Sequence, residues 1–283
     1  MLAALFLFTV LDATGKHLSQ TFSIPLLVWA RYTLHFVLML VFLGPIMGRR
    51  LIATRRPVAQ VTRALLLVGV TGFVMAAFRI MPMAETTTLM FITPLAVALL
   101  AGPLLGERVG RIRWLAVLTG FVGMLLIARP GGELPAEGVI LVLAASACYT
   151  TYQIQTRQLA ATEDTLTMLF HTALVGTLVM SLALPWIWGG PMPTAPEALM
   201  IASLGLCGGA GHFLLISAFR HAPASTLSPF LYVQLIWATM LGAWLYGEVP
   251  DALSLTGMAI IAAAGLAIAF SERNRPDGTD EAR

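Results

Sequence analysis

Of the 283 residues, 58% are apolar and 11% charged, and the mean hydropathy is +0.84. A water-soluble domain carries about 25% charged residues, so this composition excludes a soluble protein. The net charge of +3 comes from basic residues set mostly between apolar stretches, which is a topology pattern and not a nucleic-acid signal.

Ten apolar stretches follow, near residues 2–19, 25–47, 64–81, 85–105, 112–128, 136–156, 164–187, 197–218, 224–246 and 251–270. Each approaches the roughly 20 helical residues that cross a hydrocarbon core of about 30 Å. Lipid-exposed backbone must satisfy its own hydrogen bonds, so helices are expected, and the alternation of a membrane barrel is missing. The predicted fold is therefore an all-α membrane protein. The opening MLAALFLFTVLDATGKH has neither a basic n-region nor a cleavage site, so no cleaved signal peptide is expected.

The first span sets Thr9, Asp12, Lys16 and Ser19 on one helical face. Asp12 is the carboxylate placed well inside a span, and Arg31 in the second span lies level with it across the hairpin. Asp12 pairs either with Arg31 or with Lys16 one turn on, and the cluster either fixes packing or handles substrate or protons. The fourth span contains Thr93 and Pro94; the proline removes a backbone bond and is a candidate bend. In the sixth span Ser146, Tyr149, Gln153 and Thr156 share a face with Tyr152 beside them, which is a cavity lining or a set of interhelical hydrogen bonds. His35 and His171 read as interior histidines, whereas His212 follows Gly208, Gly209 and Gly211, which leave room for a ligand.

Gly205 and Gly209, and Gly257 to Gly265, are spaced for close helix crossings. In the ninth span Phe230, Gln234 and Trp237 share a face, and Pro229 is either a bend or a first-turn proline. Cys148 and Cys207 lie in apolar segments and read as small fillers without a disulfide. The His and Cys residues lack metal-site spacing, and no Walker loop, GxSxG elbow or paired catalytic carboxylates occur. Neither an enzymatic activity nor a metal or cofactor is expected.

Thirteen arginines fall on one side of these spans, including 49, 50, 55, 56, 63, 108, 111, 113, 157 and 220. Lys16, Arg79 and Arg129 fall on the other, which puts both termini in the cytoplasm. The chain also repeats itself. Ala77–Glu107 returns 141 positions later as Ala218–Glu248, with Ala-Phe-Arg, Pro82/Pro223 and Gly-Glu matched. Five spans per unit is an odd number, so the second unit enters the membrane upside down. The expected units are 1–131 and 132–270, followed by a short polar cytoplasmic tail, 271–283. Inverted repeats characterise secondary transporters whose site lies between the repeats near the midplane.

The span TTTLMFITPLAVALLAGPLLGER and its partner SPFLYVQLIWATMLGAWLYGE resemble the EamA family of the drug/metabolite transporter superfamily, and within it the YddG-type aromatic amino-acid exporters. The resemblance covers nearly the whole chain and implies ten helices in two inverted five-helix repeats. It also implies an inner-membrane secondary carrier, most readily an exporter of aromatic and other neutral amino acids or similar amphipathic metabolites. The alternatives are a passive channel or facilitator, or a proton-coupled drug exporter. Within that reading Tyr149, Tyr152 and Trp237 hold apolar or planar parts of the substrate. Gln153, Gln234, Thr93 and His212 hydrogen-bond its polar groups, and Arg31 meets a carboxylate. Glu107 and Glu248 cap or gate the loops at the Gly-Glu motif, and a monomer suffices because both halves of the site are in one chain. Gln153→Ala is expected to lower transport, measured by flux, while leaving membrane expression unchanged; equal loss of both returns Gln153 to a packing role.

Overall fold

Proline placement decides where the helices start and where one of them breaks. The structure, a computed structural model, describes residues 1–105, 111–129, 134–160, 162–187, 191–221 and 228–273. Its helices are α1 (Leu2–Ser19), α2 (Ile24–Met47), α3 (Pro57–Ile80), α4 (Met83–Met90), α5 (Ile92–Leu105) and α6 (Arg111–Ile127). The second half supplies α7 (Ala136–Ala160), α8 (Thr165–Ile187), α9 (Ala195–His221), α10 (Val233–Tyr246) and α11 (Ala252–Arg273), with 3-10 turns at Gly48–Leu51 and Ser228–Tyr232.

Pro57 occupies the first helical position of α3, where its missing N–H costs nothing. The third span therefore starts seven residues before the expected 64, and Arg63 is not a loop charge but lies inside the helix. The fourth span is two helices. Pro94 has no N–H for the Met90 carbonyl and its ring crowds that carbonyl, so the helix stops at Met90 and resumes at Ile92. Pro229 lies in the 3-10 turn ahead of α10, outside any α-helix, so it marks the approach to a helix and does not bend one. The last helix runs to Arg273, three residues into the expected tail.

Ten membrane spans in two inverted five-helix repeats account for the packing. α1 packs on α9 as α7 packs on α3, α2 meets α9 as α8 meets α3, and α6 crosses its own counterpart α11. Five helices of 19–28 residues are individually long and apolar enough to cross a membrane. α1 and α7 fall short of that measure because they carry the polar face between the repeats. Burial is turned inside out relative to a soluble protein: Trp186 is 83% exposed while Arg63 is 2% exposed. Apolar rings and chains face lipid, and charge is drawn inward.

Glycines set the closest approaches. Gly205 and Gly209 of α9 face Leu34 and His35 of α2, while Gly208 and Gly211 face Leu11 and Phe8 of α1. Where α6 crosses α11, a Cβ on Gly257 would lie 2.6 Å from the Gly123 carbonyl oxygen, and one on Gly123 would lie 2.8 Å from that of Gly257. Backbone has nowhere to move in such a crossing. Gly257→Ala is expected to destabilise the protein by about 1–3 kcal/mol, the usual range for overpacking. Gly72→Ala, where a Cβ meets nothing within 4 Å, is the matched control; thermal unfolding in detergent compares the two.

Candidate functional site

Side chains from both repeats meet between α1, α2, α7 and α9. Asp12, Tyr149 and His212 lie deep in the bundle, and these three and Arg31 keep part of their surface accessible. Arg31 is coupled electrostatically to Asp12, Tyr149 and His212. Its Nε lies 3.8 Å from where a Cβ on Gly208 would stand, so that glycine makes room for the guanidinium. Among the described residues no direct ion pair reaches Asp12. The carboxylate and the guanidinium thus face one interior region without neutralising each other by contact.

Rings flank this charged pair. Tyr149 and Tyr152 stack with centroids 5.8 Å apart and planes 18° apart. His35 of α2 stacks on His212 of α9 at 6.0 Å and 8°, and His212 meets the edge of Phe8 at 5.0 Å. Planar faces near a charged centre suit a ligand that is itself part planar. Gln153 and Gln234 are half-buried. Trp237 packs edge-on against Phe6 at 5.3 Å, and its Nε1 is buried without a partner. Thr93 is fully buried and its Oγ1 is also without a partner. No described contact joins Thr93, Gln234 or Trp237 to the central cluster.

Tyr152 is less free than its position in the sequence implies. Arg63 donates to its hydroxyl at 2.9 Å and sits 4.9 Å from its ring centroid. The same guanidinium donates to the Met168 carbonyl, to Thr172 Oγ1 at 2.7 Å and to Thr156 Oγ1 at 3.3 Å. It thereby ties α3 to α7 and α8. Sequence reading placed Arg63 in a loop; the signal that finds it is Pro57, which starts the helix early.

The opposite end is joined by Lys16. Its Nζ lies 2.5 Å from Glu248 Oε1 and donates to the Met81 carbonyl at 2.6 Å. The Lys16–Asp12 pairing is therefore not formed, because Lys16 reaches a carboxylate from the other repeat. The arrangement depends on Gly247, whose left-handed φ of 68° turns the chain back after α10. Glu248 then accepts from the Met83 N–H at 2.9 Å with its second oxygen. Tyr246 adds a hydroxyl bond to the Ala13 carbonyl at 2.6 Å. Glu107, the counterpart of Glu248 in the first repeat, lies outside the described residues.

Nearby, Asp251 caps α11 by accepting from the Ser254 N–H at 2.7 Å and pairs with Arg129. The Ser254 N–H first, and Arg129 after it, hold its carboxyl down at about 2. Glu85, in the first turn of α4, is 4% exposed with Oε2 unpartnered. It is a second interior carboxylate that sequence reading missed, placed as it was at the edge of the fourth span. Among the described residues no His, Cys, Asp and Glu cluster could hold a metal ion.

Comparison with known proteins gives the same architecture. The model of the EamA-like transporter family matches residues 1–129 and again 136–270. An S-adenosylmethionine uptake transporter of Rickettsia bellii is 29% identical over 80% of this chain and 77% of its own. A riboflavin transporter of Vibrio cholerae is 26% identical over 95% and 90%. The pseudopaline exporter CntI of Pseudomonas aeruginosa is 27% identical over 95% and 94%. A solved crystal structure superposes with a TM-score of 0.66 at 20% identity, covering 96% of this chain and 97% of that one, which shows a shared fold.

Arg63→Leu leaves a carbonyl and three hydroxyls without their charged donor. Thermal unfolding in detergent is expected to register a loss on the order of 3 kcal/mol, since hydrogen bonds to charged groups contribute about 1.5–3 kcal/mol each. Arg63→Lys restores only part of it, because an ammonium lacks the fork that spans two helices.

Proposed function

The chain belongs to the EamA-like transporter family, and from that premise we propose that this membrane transporter carries small zwitterionic metabolites, amino acids foremost, by alternating access. The observation that carries the proposal is the Asp12–Arg31 arrangement: opposite charges face one interior region without a direct bond. An interior charge is costly unless something compensates it, and a substrate with its own ammonium and carboxylate does so. Arg31 takes the carboxylate and Asp12 the ammonium, or Asp12 carries a proton when the site is empty. Tyr149, Tyr152 and His212 accept a planar side chain; Gln153, and Thr93, Gln234 and Trp237 after a rearrangement, complete the lining.

The two units, residues 1–131 and 132–270, rock about the site, with the break before Pro94 as a point of flexure. Lys16 and Glu248 hold one end closed. The arginine distribution supports an inner-membrane orientation with both termini cytoplasmic, so that closed end faces outward. One chain supplies both repeats, and a monomer is the working unit. The proposed direction is export of aromatic and other neutral amino acids. The relatives' names, which cover uptake as well as export, favour one second reading, S-adenosylmethionine as the substrate.

Counterflow in proteoliposomes tests both readings. Purified protein preloaded with unlabelled amino acid, at equal pH on both sides, is expected to accumulate labelled aromatic and neutral amino acids saturably. Arg31→Gln is expected to reduce the initial rate about tenfold or more, the scale of one lost charge-assisted bond. Accumulation of S-adenosylmethionine alone would transfer the assignment to it, and non-saturating flux would replace the carrier with a pore.

A further inference from the structure

A cavity opens at the Glu248 end, and none of the central-cluster residues Asp12, Arg31, Tyr149 and His212 lines it. It has a volume of about 660 Å³, within the ~300–1,000 Å³ typical of small-molecule sites. Six charged side chains line it: Lys16, Arg79, Glu85, Arg129, Glu248 and Asp251. Four of them are consumed in pairs, Lys16 with Glu248 and Arg129 with Asp251. The remaining two are one cation and one anion. Arg79 is exposed, and among the described residues its guanidinium has no recorded partner, since only its backbone carbonyl is used, by Gln20 Nε2 at 3.1 Å. Glu85 lines the cavity and is 96% buried, and among the described residues its Oε2 has no partner.

We propose that this cavity is a vestibular binding site for a zwitterionic solute, with the ligand's carboxylate on Arg79 and its ammonium on Glu85. A buried carboxylate oxygen without a partner is expensive to maintain, and a bound ammonium supplies the missing donor. The guanidinium matches a carboxylate with two parallel hydrogen bonds. A simple anion would leave Glu85 unsatisfied and opposed to it; a simple cation would meet Arg79. Only a ligand bearing both charges satisfies both residues. Because Lys16 and Glu248 form part of the wall and also join the two repeats, solute bound here lies next to the contact that must open for passage. The ligand class rests on the zwitterion reading of the central site; the existence of the cavity and its two unpaired charges does not.

Equilibrium binding of labelled L-phenylalanine to the purified full chain in detergent tests the site by stoichiometry. Two molecules per chain are expected for the unmodified protein. Arg79→Gln and Glu85→Gln are each expected to leave one, by weakening the vestibular site about tenfold or more, and Arg31→Gln is expected to leave the other. Arg79 is exposed, so its variant carries the test even where Glu85→Gln fails to fold, which size-exclusion chromatography reports. A stoichiometry of one, lost in Arg31→Gln and unchanged in Arg79→Gln, overturns the vestibular site and leaves the carrier reading intact. One molecule lost in Arg79→Gln and unchanged in Arg31→Gln upholds the vestibular site and overturns the central assignment. No binding in the unmodified chain overturns both.

Discussion

The cost of placing charge in hydrocarbon governs this molecule. A charged side chain that enters the bundle is stabilised where it meets a partner from another helix, and the partner it meets fixes how those helices sit. Lys16 finds Glu248 and the Met81 carbonyl, which binds α1 to the end of α3 and to the turn after α10 in the other repeat. Arg63 finds Tyr152, Thr156, Met168 and Thr172, which binds α3 to α7 and α8. These two attachments lie toward opposite ends of the bundle. Between them lies the region where Asp12 and Arg31 face each other without being joined.

That region is also where the two repeats have diverged. Asp12 corresponds to Gln153 and Lys16 to Arg157 under the 141-residue offset. At the Asp12/Gln153 position the first repeat contributes a carboxylate and the second an amide, whereas the positive charge of Lys16 is kept in Arg157. Duplication supplied a symmetric frame, and the substitutions made its two halves chemically complementary.

Small residues do the mechanical work. Glycines of α9 let α1 and α2 approach closely enough for Arg31 and His35 to reach the interior, and the Gly123–Gly257 crossing seats α6 on α11. Pro94 breaks the fourth span into α4 and α5. The frame is therefore tight at the glycine crossings and interrupted in the fourth span.

Composition, span length and the 141-residue repeat determined the all-helical membrane fold and its inverted duplication, because the bilayer leaves helices as the available solution and an odd number of spans forces the inversion. The polar faces of α1 and α7 were legible for the same reason, since helical periodicity shows which side chains share a face. Pairing was not legible. Nothing in the one-dimensional pattern distinguishes Lys16 meeting Asp12, four residues away, from Lys16 meeting Glu248, which only the left-handed turn at Gly247 brings within reach. Nor could hydropathy separate Arg63 from its neighbouring loop arginines or reveal Glu85 as an interior carboxylate. Partner choice depends on distances between helices far apart in sequence, and those distances exist only once the bundle has packed.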